Sequence, residues 1–479
     1  MAVANVLDPP YGPYIDGEMR DGVGEFDVLN PATNKPIAIV SESGADRVDE
    51  AITAAWETFD TWAGFEGRER GRLLSDLADA LRGNRDRFAR IEALENGRPI
   101  EASKQRVDTA ARYFEYFAGV ADKLEGETIP VEGERLDYTV REPIGVSGQI
   151  VPWNSSLLLG ARGFGPALAA GNAVVAKADP QTPLALLELA KLVTSVGIPD
   201  GVFNVVPGDV EPTGVAFSSD SRFGNLVFTG SVPGGTAVMK AAAENIVPVL
   251  LELGGKSPSI VFPDADLDRA VEGTRNVFGN AGQVCFATTR VFVHEDVYDE
   301  FVDRLVAATA ELSVGPGTDG HDIGPLISPS AQERVARYVE DAVADGATVL
   351  TGGEIPRDEG NFYAPTILTD VDDDAAISCE EVFGPVLTLY AFGDADEAIE
   401  RANDTDYGLY GTVWTTDIRR GHRVASEIRA GTVSINEFPA APPAAPFGGY
   451  KQSGVGREKG LQALEHYTET KNVVVNLEE

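Results

Sequence analysis

The sequence predicts an α/β protein made of two open, mostly parallel sheets in series, with a small extra β element. Two series of short apolar runs carry this expectation. From Ile144 onward, runs at 146–151, 173–176, 202–206 and 226–228 alternate with helical stretches such as 184–196. A second series at 290–293, 348–350, 386–391, 411–414 and 432–435 alternates with helical segments near 297–312, 331–344 and 396–403. Short apolar runs of this kind, ending in Gly, Pro or Asp, are what strands of a sheet covered on both faces look like. Repeated βα units of this kind build a parallel sheet whose ligands bind at the C-terminal ends of its strands.

Taken in order, the first forty residues read as short strands, with Ile15-Asp16-Gly17 and Asn30-Pro31-Ala32 as turns. Val48, Ile52, Trp56 and Phe59 then recur at helical spacing behind an Asp46 cap, and Leu74, Leu77 and Leu81 repeat the pattern. Both stripes are expected in the core. No Gly/Ser-rich or Pro-rich linker separates the two series, so the boundary near Gly254-Gly255 is expected to be a compact crossover. Pro439 to Pro446 is expected to be an ordered loop, because Pro limits backbone freedom. Alternation at Leu136, Tyr138 and Val140, and a strand pattern at Asn472-Val473-Val474-Val475-Asn476, supply the extra β element.

The chain has 479 residues, of which 43% are apolar, enough for large cores. With 39 basic and 76 acidic residues its formal charge is −37, and only ten of the basic residues are Lys. A surface this negative repels nucleic-acid phosphates and anionic lipid headgroups. The acids run through the whole chain, which points to adaptation to concentrated salt, where carboxylates stay hydrated and their repulsion is screened. Two Cys, at 285 and 379, make no disulfide framework. The first ten residues lack a basic segment followed by an apolar one, and no run of ~18 apolar residues occurs. A cytoplasmic location is the expectation.

No metal site is expected: His294, His321, His422 and His466 are widely separated, and no Cys-x-x-Cys or His-x-x-x-His pair exists. Gly255-Lys256-Ser257 is not a phosphate loop, because Leu250 stands where that motif needs Gly. Phe228-Thr229-Gly230-Ser231-Val232-Pro233-Gly234-Gly235 follows a strand and would open a helix whose amides can face an anion. Cys285 lies in a polar, glycine-containing stretch, Gly282-Gln283-Val284-Cys285, unlike a core cysteine. A nucleophilic thiol needs a base. Glu252 is a lone acid in the apolar run Leu250-Leu251-Glu252-Leu253, where an unpaired charge is costly. Cys379, beside Glu380-Glu381, is expected to be structural.

Seven segments in order resemble the aldehyde dehydrogenase superfamily along essentially the whole chain. They are Pro152-Trp153-Asn154, Ala170-Gly171-Asn172-Ala173-Val174-Val175-Ala176-Lys177, Phe228-Thr229-Gly230-Ser231, Leu251-Glu252-Leu253-Gly254-Gly255-Lys256, Gly282-Gln283-Val284-Cys285, Glu381-Val382-Phe383-Gly384-Pro385 and Pro446-Phe447-Gly448-Gly449. The resemblance implies NAD(P)-dependent oxidation of an aldehyde to a carboxylic acid. Cys285 would attack the carbonyl, Asn154 and the Cys285 N–H would hold the oxyanion, and Glu252 would activate water against the resulting thioester. A coenzyme A-acylating relative or a non-catalytic descendant of the fold is the alternative, although the former often lacks the Glu and the latter usually loses a reacting residue.

For the cofactor, the resemblance implies Lys177 at the adenosine ribose, Gly230, Ser231 and Gly235 near the pyrophosphate, and Trp153 near the nicotinamide. It also implies Glu381 on the nicotinamide ribose and Phe383 beside that ring. NAD-preferring relatives commonly carry a Glu three residues after the Lys, where this chain has Pro180. Either Asp179 substitutes and keeps NAD, or the missing carboxylate leaves room for a 2′-phosphate near Lys177 and NADP becomes usable; an acidic site disfavours the extra phosphate, which puts NAD ahead of NADP. The implied architecture is two Rossmann-like domains: a cofactor-binding domain from 1–121 and 143–253, and a catalytic domain from 254–453. An oligomerisation element from 122–142 and 454–479 would join a homodimer or homotetramer. Val284, Phe286 and Phe438 near the nucleophile suit an uncharged aldehyde.

Overall fold

A computed structural model describes residues 6–439 and 442–478. Residues 440 and 441 of the 439–446 loop, and residues 1–5 of the N-terminal stretch, lie outside the described residues.

The first sheet has eight strands, in the order Gly454–Val455, Val249–Glu252, Asn225–Thr229, Val146–Val151, Ala173–Ala178, Phe203–Pro207, Tyr14–Ile15 and Glu18–Met19. Its five central strands are parallel, and the edges are antiparallel. From Val146–Val151 the chain builds outward through Ala173–Ala178 and Phe203–Pro207, then returns to lay Asn225–Thr229 on the other side. The order therefore reverses between Val146–Val151 and Asn225–Thr229, where an open α/β sheet forms its ligand crevice. Helices Gly67–Gly83, Ile100–Ala118, Ser156–Ala170 and Leu184–Ser195 cover one face, and Gly44–Ala63 and Val232–Glu244 cover the other.

The second sheet has seven strands, in the order Thr348–Thr351, Thr366–Thr369, Val386–Phe392, Arg290–His294, Pro258–Val261, Tyr410–Trp414 and Thr432–Ile435. Only Thr348–Thr351 runs antiparallel. The third sheet pairs Thr468–Asn476 with Arg135–Pro143 along nine residues, and Thr128–Ile129 lies beyond. The 454–479 stretch thus divides between two places: Gly454–Val455 extends the first sheet and Thr468–Asn476 enters the third.

Three local expectations change. Helix Gly44–Ala63 begins before Asp46, which sits in its first turn and complements the helix dipole instead of capping. Trp56 is not core: it is 39% exposed, and its indole N–H reaches the Arg222 carbonyl at 3.0 Å. An indole N–H requires such a partner, which draws the ring to the surface. Cys379 is exposed at the end of the short helix Ala376–Cys379, and its thiol meets the Asp373 carbonyl at 3.3 Å.

Candidate active site

The C-terminal ends of the first sheet's strands face the N-terminal ends of the second sheet's strands. Trp153 and Asn154 follow strand Val146–Val151, Gly230 and Ser231 follow Asn225–Thr229, and Glu252 ends Val249–Glu252. From the other side, Cys285 precedes Arg290–His294, while Glu381 and Phe383 precede Val386–Phe392. All eight residues line one cavity of about 550 Å³. Two of the sequence-derived residues do not line it. Lys177 is buried at the C-terminal end of Ala173–Ala178, one strand further along the sheet. Gly235 is buried in helix Val232–Glu244, where a Cβ would come within 2.5 Å of Leu253 Cδ2. Glycine there leaves room for the Leu253 side chain.

Cys285 and Asn154 also line a narrower cavity on the opposite side, about 90 Å³, which continues into one of about 250 Å³. The thiol therefore stands where two spaces meet. Asn154 Nδ2 donates to the Gln283 carbonyl at 3.1 Å, which fixes the amide beside the Cys285 loop. Its backbone carbonyl accepts from Arg98 at 2.6 Å and from Asn280 at 3.2 Å. The Cys285 N–H has no partner among the described residues. An amide N–H pair of this kind can stabilise an oxyanion without titrating.

Burial pushes the Cys285 thiol up to about 12, against the opposing pull of Arg162, while Glu381 and Glu252 add to the rise. Glu252 is 2% exposed, and neither carboxyl oxygen has a hydrogen-bond partner. Burial first, and the charge of Glu458 second, hold its carboxyl well above the usual range against Arg162, Arg457 and Lys459. A buried polar group without a partner costs ~1–3 kcal/mol, so a fold that keeps one at a cavity wall tolerates a cost that apolar packing would avoid.

Sequence reading missed the charges beneath this pair. Arg162, on helix Ser156–Ala170, forms a buried ion pair with Glu458. Arg98, Arg106 and Lys459 also reach the narrower cavity, beside Val284 and Phe286. Phe438 lines the wider one with Arg98 and Arg106. The apolar residues around Phe286 do pack on one another, with ring centroids 5.9 Å from Phe438 and 6.0 Å from Phe447. The expectation of an uncharged substrate space is nonetheless corrected by the basic residues. No local pattern announced them, because they come from separate segments of the chain.

The larger cavity suits a nicotinamide dinucleotide. Ser231 caps helix Val232–Glu244, its hydroxyl accepting from the Gly234 N–H at 3.3 Å, and the helix N-terminus opens at the reversal of strand order. Glu381 accepts from the Gly255 N–H at 3.1 Å through one oxygen, and burial lifts its carboxyl to about 7. A Cβ at Gly254 would lie 2.2 Å from the other oxygen, so the close approach needs glycine. Trp153 and Phe383 meet edge to face with centroids 5.5 Å apart, forming an aromatic corner.

Fold and site together define a two-sheet α/β dehydrogenase with a cysteine where two cavities meet. The family model described as the aldehyde dehydrogenase family matches residues 19–473, and the chain belongs to that family. It is 43% identical over 475 residues to betaine aldehyde dehydrogenase of Bacillus subtilis, covering 97% of each chain. It is 45% identical over 453 residues to a mitochondrial aldehyde dehydrogenase of Leishmania tarentolae, covering 94% of this chain and 91% of that one. The structure of an aldehyde dehydrogenase from Bacillus cereus in complex with NAD+ superposes with a TM-score of 0.98 at 42% identity, covering 99% of this chain and 98% of that one.

Proposed function

We propose that this enzyme oxidises an aldehyde to a carboxylic acid with NAD, through Cys285 as nucleophile, Asn154 as oxyanion donor and Glu252 as base toward water. The observation that carries this reading is that Cys285, Asn154 and Glu252 face one cavity, with Cys285 and Asn154 also opening toward a second. Aldehyde enters from the narrower side. The Cys285 thiolate adds to its carbonyl carbon, and the oxygen takes the amide hydrogens of Asn154 and Cys285. Bound in the cavity of about 550 Å³, NAD would supply the hydride acceptor, and loss of hydride from the thiohemiacetal carbon leaves a thioester on Cys285. Glu252 then takes a proton from water as the water attacks the thioester, and the acid departs with the thiol restored.

Trp153, Glu381 and Phe383 hold the nicotinamide half, Gly230 and Ser231 approach the pyrophosphate, and Lys177 holds the adenosine ribose. Around Lys177, the charges of Asp179, Asp209 and Glu42 favour its protonated form against burial. A 2′-phosphate would meet those three carboxylates, which favours NAD over NADP. The division into 1–121 with 143–253, 254–453, and 122–142 with 454–479 follows the same reading, as does assembly into a homodimer or homotetramer. Val474 is exposed on Thr468–Asn476, Leu136 on the adjoining Arg135–Pro143 and Ile129 on Thr128–Ile129 beyond it, so the third sheet has apolar surface to cover. Among the described residues, no helix is long and apolar enough to cross a membrane, and a cytoplasmic site of action in a salt-adapted cell fits the acidic composition.

Product analysis tests this reading. Free acid and NADH should form in equal amounts without coenzyme A, and NAD should give at least ~10-fold higher kcat/KM than NADP. Cys285→Ala should abolish NADH formation, while Glu252→Gln should release one NADH per site and then stall. Steady turnover by Cys285→Ala would overturn the mechanism.

A further inference from the structure

The two cavities on the substrate side of Cys285 are lined by four basic side chains, Arg98, Arg106, Arg162 and Lys459. Among the described residues neither contains an Asp or Glu, and the two undescribed residues of the adjoining loop are both Ala. In a chain where acids outnumber bases by 76 to 39, a base-lined and acid-free space is the reverse of the rest of the molecule.

Three of the four bases are already committed. Arg98 donates to the Asn154 carbonyl and to the Ser155 hydroxyl. Arg162 is paired with Glu458. Lys459 adjoins the same Glu458 and lies 5.2 Å from the Phe447 ring centroid, and burial lowers it to about 8. Arg106 is different: among the described residues it makes no hydrogen bond and no ion pair. It stands on helix Ile100–Ala118 one turn before Thr109, so both project from one face, and both line both cavities. Glu92 is the carboxylate whose charge reaches it, and burial holds Glu92 above the ordinary range, which weakens that compensation. A guanidinium presents a planar fork that matches a carboxylate with two parallel N–H···O bonds. Leaving it without a partner in a cavity wall costs desolvation that a ligand anion would offset.

We propose that Arg106 is a specificity residue for an aldehyde that carries a carboxylate at its far end. This rests on the aldehyde-oxidising reading of the same site. Cys285 takes the aldehyde carbon at the inner end of the space, the rings of Phe286 and Phe438 flank the intervening carbons, and Arg106 receives the carboxylate.

The test uses ω-carboxy aldehydes of three to six carbons, each paired with its methyl ester, in concentrated KCl. For at least one chain length, the acid should exceed its ester in kcat/KM by ~10-fold or more. Arg106→Gln should lower kcat/KM for that acid by about 10- to 100-fold, mainly through KM, and leave the esters unchanged. Arg106→Lys should restore part of the loss. Esters oxidised as well as acids at every length, or acids unaffected by Arg106→Gln, would overturn the proposal while leaving aldehyde oxidation intact. Absence of NADH with every aldehyde would instead overturn the oxidation reading. Calorimetric binding of the matching dicarboxylates then decides on Arg106 alone: binding lost in Arg106→Gln supports it, and binding equal in both proteins refutes it.

Discussion

In the proposed mechanism Cys285 and Glu252 act through their conjugate bases, and burial displaces both toward their protonated forms. Burial sets the thiol at about 12 and Glu252 well above an ordinary carboxylate. Each group is active when deprotonated and each is displaced upward, so activity rises with pH. The expected profile of kcat/KM climbs from pH 6 to pH 10 without levelling near neutrality, as initial rates in molar KCl would show. A flat profile between pH 6 and 9 would mean that neither proton matters. Glu252 was legible in the sequence because an acid inside an apolar run is costly wherever the run is buried. Arg162 and Glu458 were not. Each lies in a segment with nothing unusual about it, and their pairing exists only because helix Ser156–Ala170 meets the 446–460 segment beside the thiol. Arg106 escaped for a related reason, since a single Arg on an amphipathic helix reads as a solvated face until the cavity is known.

Elements were legible where a strand is buried on both faces and mostly apolar, as at Ala173–Ala178, where Lys177 alone interrupts the run. Strand Pro258–Val261 was missed because a Pro and a Ser take half of its length, and Pro is tolerated there at the first strand position. Helix Ile418–Glu427 buries only Gly421 and Val424, too thin a stripe to set a period. One helix start depended on a partner that no local sequence contains. Leu184–Ser195 follows Pro183, which has no side-chain acceptor to cap it. Its first amides are met instead by Glu95, the last residue of helix Arg85–Glu95, at 2.8 Å from Leu184 N and 3.1 Å from Ala185 N. Glu95→Ala leaves two buried N–H groups unpaired, so unfolding should become easier by about 2–3 kcal/mol. Chemical denaturation in KCl would show this as a lower midpoint with unchanged slope; an unchanged midpoint would mean that water replaces the cap.

At the scale of the whole molecule, the proposed chemistry uses Glu252 and Glu381 from 76 acidic residues, so the net charge of −37 belongs to the surface and not to the mechanism. The ion pairs among exposed groups, such as Arg72 with Asp76 and Lys35 with Glu359, are of a kind worth ~0–1 kcal/mol each, and they engage only a fraction of the acids. The remaining carboxylates repel one another, and that repulsion acts across ~30 Å at 0.01 M salt but only ~3 Å at 1 M. Burial of apolar groups is strengthened or weakened by the nature of the ions, whereas this repulsion depends first on their concentration. The unfolding midpoint should therefore rise by on the order of 10 °C between ~10 mM and ~2 M KCl, a change of a few kcal/mol for a domain of this size. Most of the gain should come below ~0.5 M, where screening changes fastest. Differential scanning calorimetry across that series would check it, and equal midpoints at both ends would remove salt adaptation as the reason for the charge. The base-lined cavity makes the contrast informative, because Arg106 is partly withdrawn from solvent and screened less than the exterior.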